Sequence, residues 1–462
     1  MHKVLIANRG EVALRIIRSC RELGIKTVAV CSTADLQSMH VQLADESLCI
    51  GEGPATQSYL QSSMLLAAAE LSGADALHPG YGFLSENPRL AELCQQAGVL
   101  FIGPTAKSMG ILGNKLLAKS LAVQCGIPTV PSSPRLERLE EAEGWSQKIG
   151  FPLLIKTACG GGGRGIRSVH SLQGLAAAWH AVWSESTAAY GRAELYLERL
   201  VEGPRHVEVQ VAGDLQGRVM ALGERDCSVQ RRRQKLIEEA PCAWLEERVR
   251  QQLYDAACTL ARQAGYHTLG TAEFLVEADG SFYFMEFNSR LQVEHTVTET
   301  ILGIDLVALQ MQLAEGLPIP EELKIRLPFG HAIQLRMNAE DPLQGFQPSP
   351  GKVESCRWPG GLGVRIDSAI ESGSIVPPYY DALIGKIIVH GADRPAALAR
   401  VARALHEFRA EGIHTNSALH MWILQQPAYQ AGGVSITWLE EHLEEFFAAA
   451  KDVAPQEAVL SS

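Results

Sequence analysis

Two glutamates and an asparagine lie on either side of a predicted β-hairpin near the middle of the chain. Asp279-Gly280 separates two alternating apolar runs, which is the strongest local signal for a hairpin. If these two residues form the loop, Glu273 pairs with Glu286, and their Cβ atoms are about 4.5–5.5 Å apart. Asn288 points to the same face as Glu286. These oxygen ligands suit Mg²⁺ held jointly with substrate phosphates, although an exposed edge whose acids face water gives the same pattern.

A run of glycines follows a strand that ends in a lysine. Residues 160–163 are four consecutive glycines, and Lys156 ends the apolar run before them. Glycine loses much backbone entropy on folding, so this run favours a loop whose N–H groups close over an anion such as a phosphate chain. The order differs from the Gly-x-x-x-x-Gly-Lys-Ser/Thr loop, because the lysine precedes the glycines. A second lysine, Lys115, begins a predicted helix, and a flexible linker remains the alternative for the glycines.

The residues after the hairpin carry alternating polar side chains. If this segment stays extended, Asn288, Arg290, Gln292 and Glu294 share one face. The face would join a metal ligand, a cation and a carboxylate base, which suits binding and deprotonating a small anion. Cationic and amide side chains at residues 230–235 indicate an anion pocket, although such clusters are commonly solvated charge runs.

Alternating strands and helices in the first hundred residues would provide the framework. Lys3 to Ala7 predicts a strand, Glu11 to Leu23 a helix and Lys26 to Cys31 the next strand. This βαβ pattern predicts a parallel sheet. Ligands bind at the carboxyl ends of such strands, so the loops at residues 8–10 and 78–82 are candidate site loops, or only tight turns.

Composition limits the class of protein. The chain has 462 residues, enough for roughly two to four domains, and 46% hydrophobic and 20% charged residues are typical of a soluble globular protein. No apolar run reaches the length of about 18 residues expected of a membrane span. The net charge of −11 argues against a nucleic-acid partner. Ten cysteines without a C-x-x-C pair favour free thiols in the cytoplasm over disulfides or a zinc site.

The glycine run, the two lysines and the later acidic strand pair together resemble the ATP-grasp architecture. Longer motifs resemble biotin carboxylase, the ATP-dependent component of biotin-dependent carboxylases, over nearly the whole chain. They are Ile-Ala-Asn-Arg-Gly-Glu at 6–11, His-Pro-Gly-Tyr-Gly-Phe-Leu-Ser-Glu-Asn at 78–87, Pro-Ser-Pro-Gly at 348–351 and Pro-Pro-Tyr-Tyr-Asp at 377–381. The resemblance implies an α/β and α+β chain with an N-terminal parallel-sheet βαβ domain at 1–112, an ATP-grasp domain at 113–317 with a mobile glycine-rich lid at about 130–203, a C-terminal α+β domain at 330–447 and a tail at 448–462.

The same resemblance implies a chemistry. ATP would phosphorylate bicarbonate to carboxyphosphate, which yields CO₂ and phosphate; the phosphate would take the N1′ proton of biotin, and the biotin enolate would attack CO₂. The catalytic residues would be Arg290, Lys235, Glu294 as general base and Arg336 as stabiliser of the enolate.

Binding roles follow from the same motifs. Mg²⁺ or Mn²⁺ would be held by Glu273, Glu286 and Asn288, bicarbonate by Lys235, Arg290, Gln292 and Val293, and biotin by Tyr81, Gly82 and Arg336. The ATP contacts would be Lys115, Lys156, Gly162, Gly163, Glu198, Arg199, Leu200, Val201, His206, Gln230, Arg233, Leu275, Glu273 and Glu286.

Four residues depart from the family pattern that we expect. Arg233 stands where His or Asn is common, Cys159 stands at the start of the glycine run, Asn114 replaces Asp and Arg199 replaces Lys. None of them is a proposed metal ligand, base or bicarbonate contact. We therefore expect altered ATP affinity at most.

The chain contains no Met-Lys-Met sequence, so the resemblance implies biotin on a separate carrier protein. A biotin carboxyl carrier protein and carboxyltransferase subunits would be partners, as in the acetyl-CoA carboxylase of fatty acid biosynthesis, and the chain would be a homodimer. Three alternatives stay open. They are a subunit that serves pyruvate or another acyl-CoA, a different ATP-grasp ligase that joins a carboxylate to an amine or thiol, and a catalytically silent paralogue that acts as a scaffold.

Overall fold

The computed structural model of the protein describes residues 1–158, 165–191 and 193–457, with the side chains of all of these except residue 190 and residues 451–457. The predicted glycine-loop residues Gly162 and Gly163, together with Cys159, lie outside the described residues. Residues 458–462 of the predicted tail also lie outside them.

A five-stranded parallel sheet with helices around it forms the N-terminal part, and this confirms the βαβ prediction. The strand order is β3-β2-β1-β4-β5, with every neighbouring pair parallel. Val4, Leu5 and Ile6 of the central strand are fully buried, which fits a strand covered on both faces. The elements are β1 (Lys3–Ile6), α1 (Gly10–Glu22), β2 (Lys26–Cys31), α2 (Met39–Leu43), β3 (Glu46–Cys49), α3 (Ser62–Ser72), β4 (Ala76–His78), α4 (Pro88–Gln96), β5 (Leu100–Phe101) and α5 (Ala106–Leu112).

A small antiparallel sheet follows, in the order β7-β6-β8. Its apolar face packs against two helices through Leu153, Ile155, Trp179 and Leu197. The predicted strand that ends in Lys156 is β6. The elements are α6 (Lys115–Gln124), α7 (Leu139–Ile149), β6 (Leu153–Thr157), β7 (Ile166–Val169), α8 (Leu172–Tyr190) and β8 (Leu195–Arg199).

An eight-stranded antiparallel sheet forms the rest of the framework, in the order β13-β12-β9-β10-β11-β14-β21-β19. Its first five strands and following helices are β9 (Arg205–Gly213), β10 (Val219–Arg231), β11 (Gln234–Ala240), α9 (Glu247–Gln263), β12 (Thr268–Val276), β13 (Phe282–Asn288), α10 (His295–Leu302) and α11 (Leu306–Ala314). The later elements are β14 (His331–Asn338), β15 (Glu340–Asp341), β16 (Gln347–Pro348), β17 (Gly351–Lys352), β18 (Ser355–Arg357), β19 (Val364–Ser368), β20 (Ile375–Val376), β21 (Leu383–Gly391), α12 (Arg394–Glu407), β22 (Arg409–Glu411), α13 (Ser417–Gln425), α14 (Pro427–Ala431) and α15 (Trp438–Glu457).

The large sheet crosses the segment that the sequence predicts as a connection between two domains. β11 pairs with β14 from Ile237 opposite Leu335 to Ala240 opposite Ala332. The predicted boundaries at residues 317 and 330 stay predictions, but the two regions share one sheet and one continuous ladder of hydrogen bonds. The last helix continues to Glu457, past the predicted start of the tail, because Phe446 is buried in the core beneath it and three alanines with high helix propensity follow Phe447.

The hairpin of β12 and β13 has the predicted pairing of Glu273 with Glu286, but not the predicted loop. Glu277 N donates to Ser281 O at 2.8 Å, so the loop has three residues and ends at Gly280, whose φ is 83°. This shift moves the register by one residue. Met285 is an extra, unpaired residue in β13, and this bulge moves the register back before it reaches Glu286.

No single helix among the described residues is long and apolar enough to cross a membrane. The consecutive helices α10 and α11 pass that test by length and composition only when they are taken together, and they meet at a bend of 99°.

Replacing Leu335 by alanine tests the importance of the shared sheet. Leu335 is fully buried on β14. We expect Leu335→Ala to lower the free energy of unfolding by about 2–5 kcal/mol, because a buried leucine leaves a cavity when it is shortened. Leu343→Ala is the matched control, since Leu343 is 58% exposed, and it should change stability by less than about 0.5 kcal/mol. Urea unfolding measures both, and equal midpoints for the two variants would contradict the expectation.

Candidate active site

Three glutamates form a row across neighbouring strands of the large sheet. Glu286 on β13 pairs with Glu273 on β12, and Glu273 pairs with Glu208 on β9. Like charges directly opposite each other repel, so this row needs cations beside it. The next strand supplies one, because Arg225 on β10 is the register partner of Glu208 and donates a hydrogen bond to it.

Lys235 on β11 links this row to the predicted base. Its Nζ donates to Glu208 Oε2 at 2.6 Å, to Glu273 Oε1 at 2.9 Å and to Glu294 Oε1 at 2.6 Å. Burial favours the neutral amine, but the three carboxylates outweigh burial and raise the pKa of Lys235 well above its ordinary value. One ammonium group therefore joins the predicted metal-binding carboxylate to the predicted base.

Glu273 is the buried end of the predicted metal site. It accepts hydrogen bonds from Asn288 Nδ2 at 2.8 Å and from Gln292 Nε2 at 3.1 Å, and His206 Nε2 lies 2.9 Å from its Oε2. Burial raises the pKa of a carboxyl group, but Lys235 and His206 hold the pKa of Glu273 well below its ordinary value.

Glu286 is the open end of the same site. Its side chain is 25% exposed, and Lys115 Nζ lies 3.1 Å from Oε2. Two carboxylates and the Asn288 amide are hard oxygen donors, which are the ligands that Mg²⁺ takes together with phosphate oxygens. The donor set therefore fits the predicted metal.

Two lysines converge on Glu198, at the end of β8. Lys156 and Lys119 both donate hydrogen bonds to its carboxylate. Burial would raise the pKa of Glu198, but the two ammonium groups lower it to about 2. The sequence analysis missed Lys119, although it lies one helical turn after Lys115 on α6, and that spacing places both residues on the same face.

Two of the departures from the family pattern have a structural account here. Asn114 Oδ1 accepts hydrogen bonds from the backbone N–H groups of Leu116 and Leu117, each at 3.1 Å, so the asparagine caps α6 as an aspartate would. Arg199 donates to Tyr283 Oη at 3.1 Å and lies against its ring. Hydrogen bonds to neighbouring residues therefore fix the side chains of both Asn114 and Arg199.

A small apolar cluster lies beside the segment from Glu198 to Val201. Val130, Val201 and Leu275 are buried in one small cluster. Tyr283, Met285 and Ile436 pack against the three residues. The predicted contact Leu200 is fixed there by its N–H, which donates to Pro152 O at 3.0 Å. No sequence signal identified Val130, Met285 or Ile436, because each comes from a different segment and each is an ordinary core residue type.

The residues between Gln230 and Lys235 form the end of the β10–β11 hairpin. Gln230 Nε2 lies 2.7 Å from His206 Nδ1 and donates to Cys227 O. Arg233 is at the turn with φ of 63°. Burial lowers the pKa of Arg233, and the carboxylates of Glu440 and Glu198 oppose this. Gln230 is therefore linked through His206 to Glu273, and Arg233 lies within electrostatic range of Glu198.

The segment after β13 does not stay extended as predicted. α10 begins at His295, and Glu294 before it has φ −85° and ψ 7°, so strand alternation ends before the base. The side chains still converge. Arg290 donates to Asn288 Oδ1 at 3.1 Å and to Gln292 Oε1 at 3.0 Å. Hydrogen bonds, and not strand periodicity, hold this set together.

Glu294 is fully buried between two cations. Lys235 binds one carboxylate oxygen, and Arg336 from β14 donates to the other at 2.9 Å. Burial would raise the pKa of Glu294, but Lys235, Arg336 and Arg225 lower it far below its ordinary value. Glu294 is therefore ionised at neutral pH, which is the state that a general base requires.

The loops after β1 and β4 reach the same cleft, as the parallel-sheet argument predicted. Asn8 Nδ2 donates to the backbone oxygens of Pro79 and Tyr81, each at 2.7 Å. Gly82 follows with φ of 70°, a conformation that favours glycine. Tyr81 donates its hydroxyl to Glu11, and Lys386 on β21 connects Glu11 to the Val293 carbonyl at 3.0 Å to each.

The residues that sequence reasoning missed are mainly the charge partners. Glu86 holds Arg290 through a hydrogen bond of 2.9 Å, and Glu238 accepts from Arg336. Alternation along β9 could have found Glu208, because it shares a face with His206 two residues earlier. Glu238 and Arg225 carry no such signal, since their partners lie far away in sequence.

Three family descriptions match consecutive parts of the chain. "Biotin carboxylase, N-terminal domain" matches residues 1–109, "Carbamoyl-phosphate synthase L chain, ATP binding domain" matches residues 114–322 and "Biotin carboxylase C-terminal domain" matches residues 334–441. Together they cover most of the chain.

Characterised relatives and solved structures agree with this match. The chain is 50% identical over 448 residues to the biotin carboxylase of Pseudomonas aeruginosa, covering 96% of this chain and 99% of the relative. It is 45% identical over 451 residues to human mitochondrial pyruvate carboxylase, of which it covers 38%.

Two solved structures have nearly the same fold. The biotin carboxylase domain dimer of Hydrogenobacter thermophilus 2-oxoglutarate carboxylase, in complex with MgADP, ADP and bicarbonate, has a TM-score of 0.94 and 42% identity over 96% of this chain and 98% of that one. A Campylobacter jejuni biotin carboxylase–beta-gamma-ATP complex has a TM-score of 0.93 and 41% identity, covering 95% of this chain and 98% of that one. The resemblance found in the sequence is confirmed, and the chain belongs to the biotin carboxylase family of ATP-grasp enzymes.

Proposed function

We propose that the protein carboxylates biotin, attached to a separate carrier protein, with ATP and bicarbonate. The observation that carries the proposal is the position of Lys235, which touches both Glu273 on the predicted metal side and Glu294 on the predicted bicarbonate side. The cleft around it has lysines for phosphates, oxygen donors for a divalent cation and an ionised carboxylate at its centre. Phosphorylation of bicarbonate needs all three together.

The nucleotide is bound between the small sheet and the large sheet. We place its base against the apolar cluster of Val130, Val201 and Leu275, next to the segment from Glu198 to Val201. Lys115 and Lys156 face the phosphates. Glu273, Glu286 and Asn288 would hold Mg²⁺ or Mn²⁺, which would supply positive charge for the transferring phosphoryl group.

Bicarbonate binds between Arg290, Gln292, Lys235 and the Val293 backbone. Arg290 is already oriented by Glu86 and Asn288. Glu294 accepts the bicarbonate proton as the oxygen attacks the γ-phosphoryl group of ATP. An anion that takes Lys235 as a partner weakens the bond from Lys235 to Glu294, and this raises the proton affinity of Glu294 when the proton is transferred.

Biotin enters from the loop of Tyr81 and Gly82. Carboxyphosphate breaks into CO₂ and phosphate, the phosphate takes the N1′ proton of biotin, and the enolate attacks CO₂. Arg336 offers its guanidinium to the enolate oxygen, and stabilisation of this kind is commonly a large catalytic term. Its bonds to Glu238 and Glu294 hold it in place.

A biotin carboxyl carrier protein and a carboxyltransferase subunit complete the proposed system. The acceptor is the acyl group of acetyl-CoA, in fatty acid biosynthesis, or alternatively pyruvate or another acyl-CoA. We also propose a homodimer, which the dimeric biotin carboxylase domain of Hydrogenobacter thermophilus supports by analogy.

Release of ADP tests the function. We expect the purified protein with Mg-ATP and free biotin to release ADP only when bicarbonate is present, and faster with biotin than without it. ADP release that ignores bicarbonate would contradict the proposal and favour another ATP-grasp ligase. Binding of ATP without turnover, even with a biotinylated carrier domain, would favour the scaffold alternative.

Glu294→Gln tests the assignment of the base. The amide keeps the shape of the side chain but cannot accept the proton, so bicarbonate-dependent turnover should fall by about 10²–10⁴-fold while ATP still binds. Steady-state kinetics and ATP titration measure the two effects. Turnover at the wild-type rate would refute the assignment.

Glu286→Gln tests the metal site. Loss of one carboxylate charge should raise the Mg²⁺ concentration needed for half-maximal turnover and lower turnover at limiting Mg²⁺ on the order of 10²-fold. Glu371→Gln is the matched control, because Glu371 is exposed and its hydrogen bonds are with Ser374. An unchanged Mg²⁺ response in Glu286→Gln would exclude this residue as a ligand.

A further inference from the structure

Lys386 is a fully buried lysine at the meeting point of the three parts of the chain. It lies on β21, and its Nζ donates to the Val293 carbonyl at 3.0 Å and pairs with Glu11 Oε1 at 3.0 Å. Glu11 belongs to α1 of the N-terminal part, and Val293 lies in the segment after the hairpin of β12 and β13. One side chain therefore contacts two segments that come from opposite sides of the cleft.

On the biotin side, Lys386 acts through Glu11. The Tyr81 hydroxyl donates to Glu11 Oε1, the same oxygen that Lys386 contacts. The ammonium group also lies 6.0 Å from the centre of the Tyr81 ring. The position of Tyr81 is thereby tied to the position of Lys386.

On the bicarbonate side, Lys386 acts through the peptide group between Val293 and Glu294. The carbonyl that it binds belongs to the rigid peptide unit between Val293 and Glu294. Holding this oxygen fixes the orientation of the backbone at Glu294. Lys386 is also the register partner of Arg336 on β14, so the residue proposed to stabilise the enolate is set by the same pair of strands.

The remaining charges around Lys386 have partners of their own. Asp367 Oδ2 lies 3.9 Å from Nζ, but Arg365 holds both Asp367 oxygens at 2.9 and 2.7 Å. Glu11 has no other cation in contact among the described residues, and its Oε2 has no hydrogen-bond partner there. The Lys386–Glu11 pair can therefore be removed as a unit without leaving Asp367 unpaired.

We propose that Lys386 is a positioning residue that sets the distance between the biotin loop and the bicarbonate segment, because it binds the Val293 carbonyl and, through Glu11, Tyr81. The inference rests on the proposed function. Lys386 touches no substrate in this account. It determines how two binding segments face each other.

The experiment compares Michaelis constants in the double variant Lys386→Met/Glu11→Gln. Lys386→Met alone leaves a buried, unpaired Glu11 and risks misfolding, whereas the double variant removes both charges and keeps both shapes. We expect the KM for bicarbonate and the KM for free biotin to rise about tenfold each, because misplacement of reacting groups is costly. The KM for ATP should stay within about twofold of the wild-type value.

Glu11→Gln alone provides a second, sharper comparison. The change weakens the link from Lys386 through Glu11 to Tyr81, but Lys386 keeps its bond to the Val293 carbonyl and Asp367 stays 3.9 Å from its Nζ as a counter-charge. This variant should therefore raise the KM for biotin and leave the KM for bicarbonate within about twofold. Arg394→Met is the control for loss of a partly buried cation that is paired with a carboxylate. Arg394 binds Glu239, whose side chain lies on the opposite face of β11 from Glu238, so all three KM values should stay within about twofold in this variant.

A purely structural role of Lys386 would lower kcat and the melting temperature without moving the two KM values. KM values for biotin and bicarbonate within twofold of wild type in the folded double variant would overturn the proposal. Equal rises of these values in Arg394→Met would also overturn it. Failure of the proposed function itself is distinguishable, since the wild-type protein would then show no bicarbonate-dependent ADP release.

Discussion

Repulsion between three glutamates in register on adjacent strands is the constraint that the active site depends on. Glu286, Glu273 and Glu208 stand in one row, and Glu294 approaches from the segment after β13. Buried carboxylates persist only when cations and hydrogen bonds replace the lost water. The cations come from separate elements: Lys115 from α6, Arg225 from β10 and Lys235 from β11. The glutamates of the cleft can therefore stay ionised only when the sheet and its surrounding helices fold correctly and bring these cations beside them.

The pairing of cations with carboxylates also explains how the cleft can accept anionic substrates. Three of the cations assigned to substrates already hold a carboxylate: Lys156 holds Glu198, Lys115 holds Glu286, and Arg290 holds Glu86. Binding of a phosphate chain or bicarbonate to these cations would exchange one anionic partner for another, and a divalent cation would compensate the carboxylates that are released. The electrostatic work of filling the site is smaller than it would be for isolated charges in a dry cleft. The site is already organised around charges of the right sign.

Much of this arrangement could be predicted from the sequence, and the parts that could not have a physical reason. The βαβ order, the strand that ends at Lys156 and the pairing of Glu273 with Glu286 follow from local patterns. The pairing was predicted correctly from a wrong loop, because the bulge at Met285 cancels the extra loop residue, and a bulge has no simple sequence signal. Arg225, Glu238 and Lys386 matter through partners distant in the chain, so no local pattern identifies them. The pairing of β11 with β14 is equally non-local.

The shared sheet also limits how the chain can be divided. If the two regions were produced as separate chains, divided between Ala314 and His331, the paired residues 237–240 of β11 and 332–335 of β14 would each lose their partner strand. Exposed strand edges of this kind pair with other chains, and natural proteins avoid them. Each half would then expose a strand edge that can pair with other chains. A region taken from a relative could replace one half only if the side chains of its edge strand packed against those of the strand it pairs with. The backbone pairing between β11 and β14 thus favours keeping the two regions together in one chain, independently of any catalytic residue.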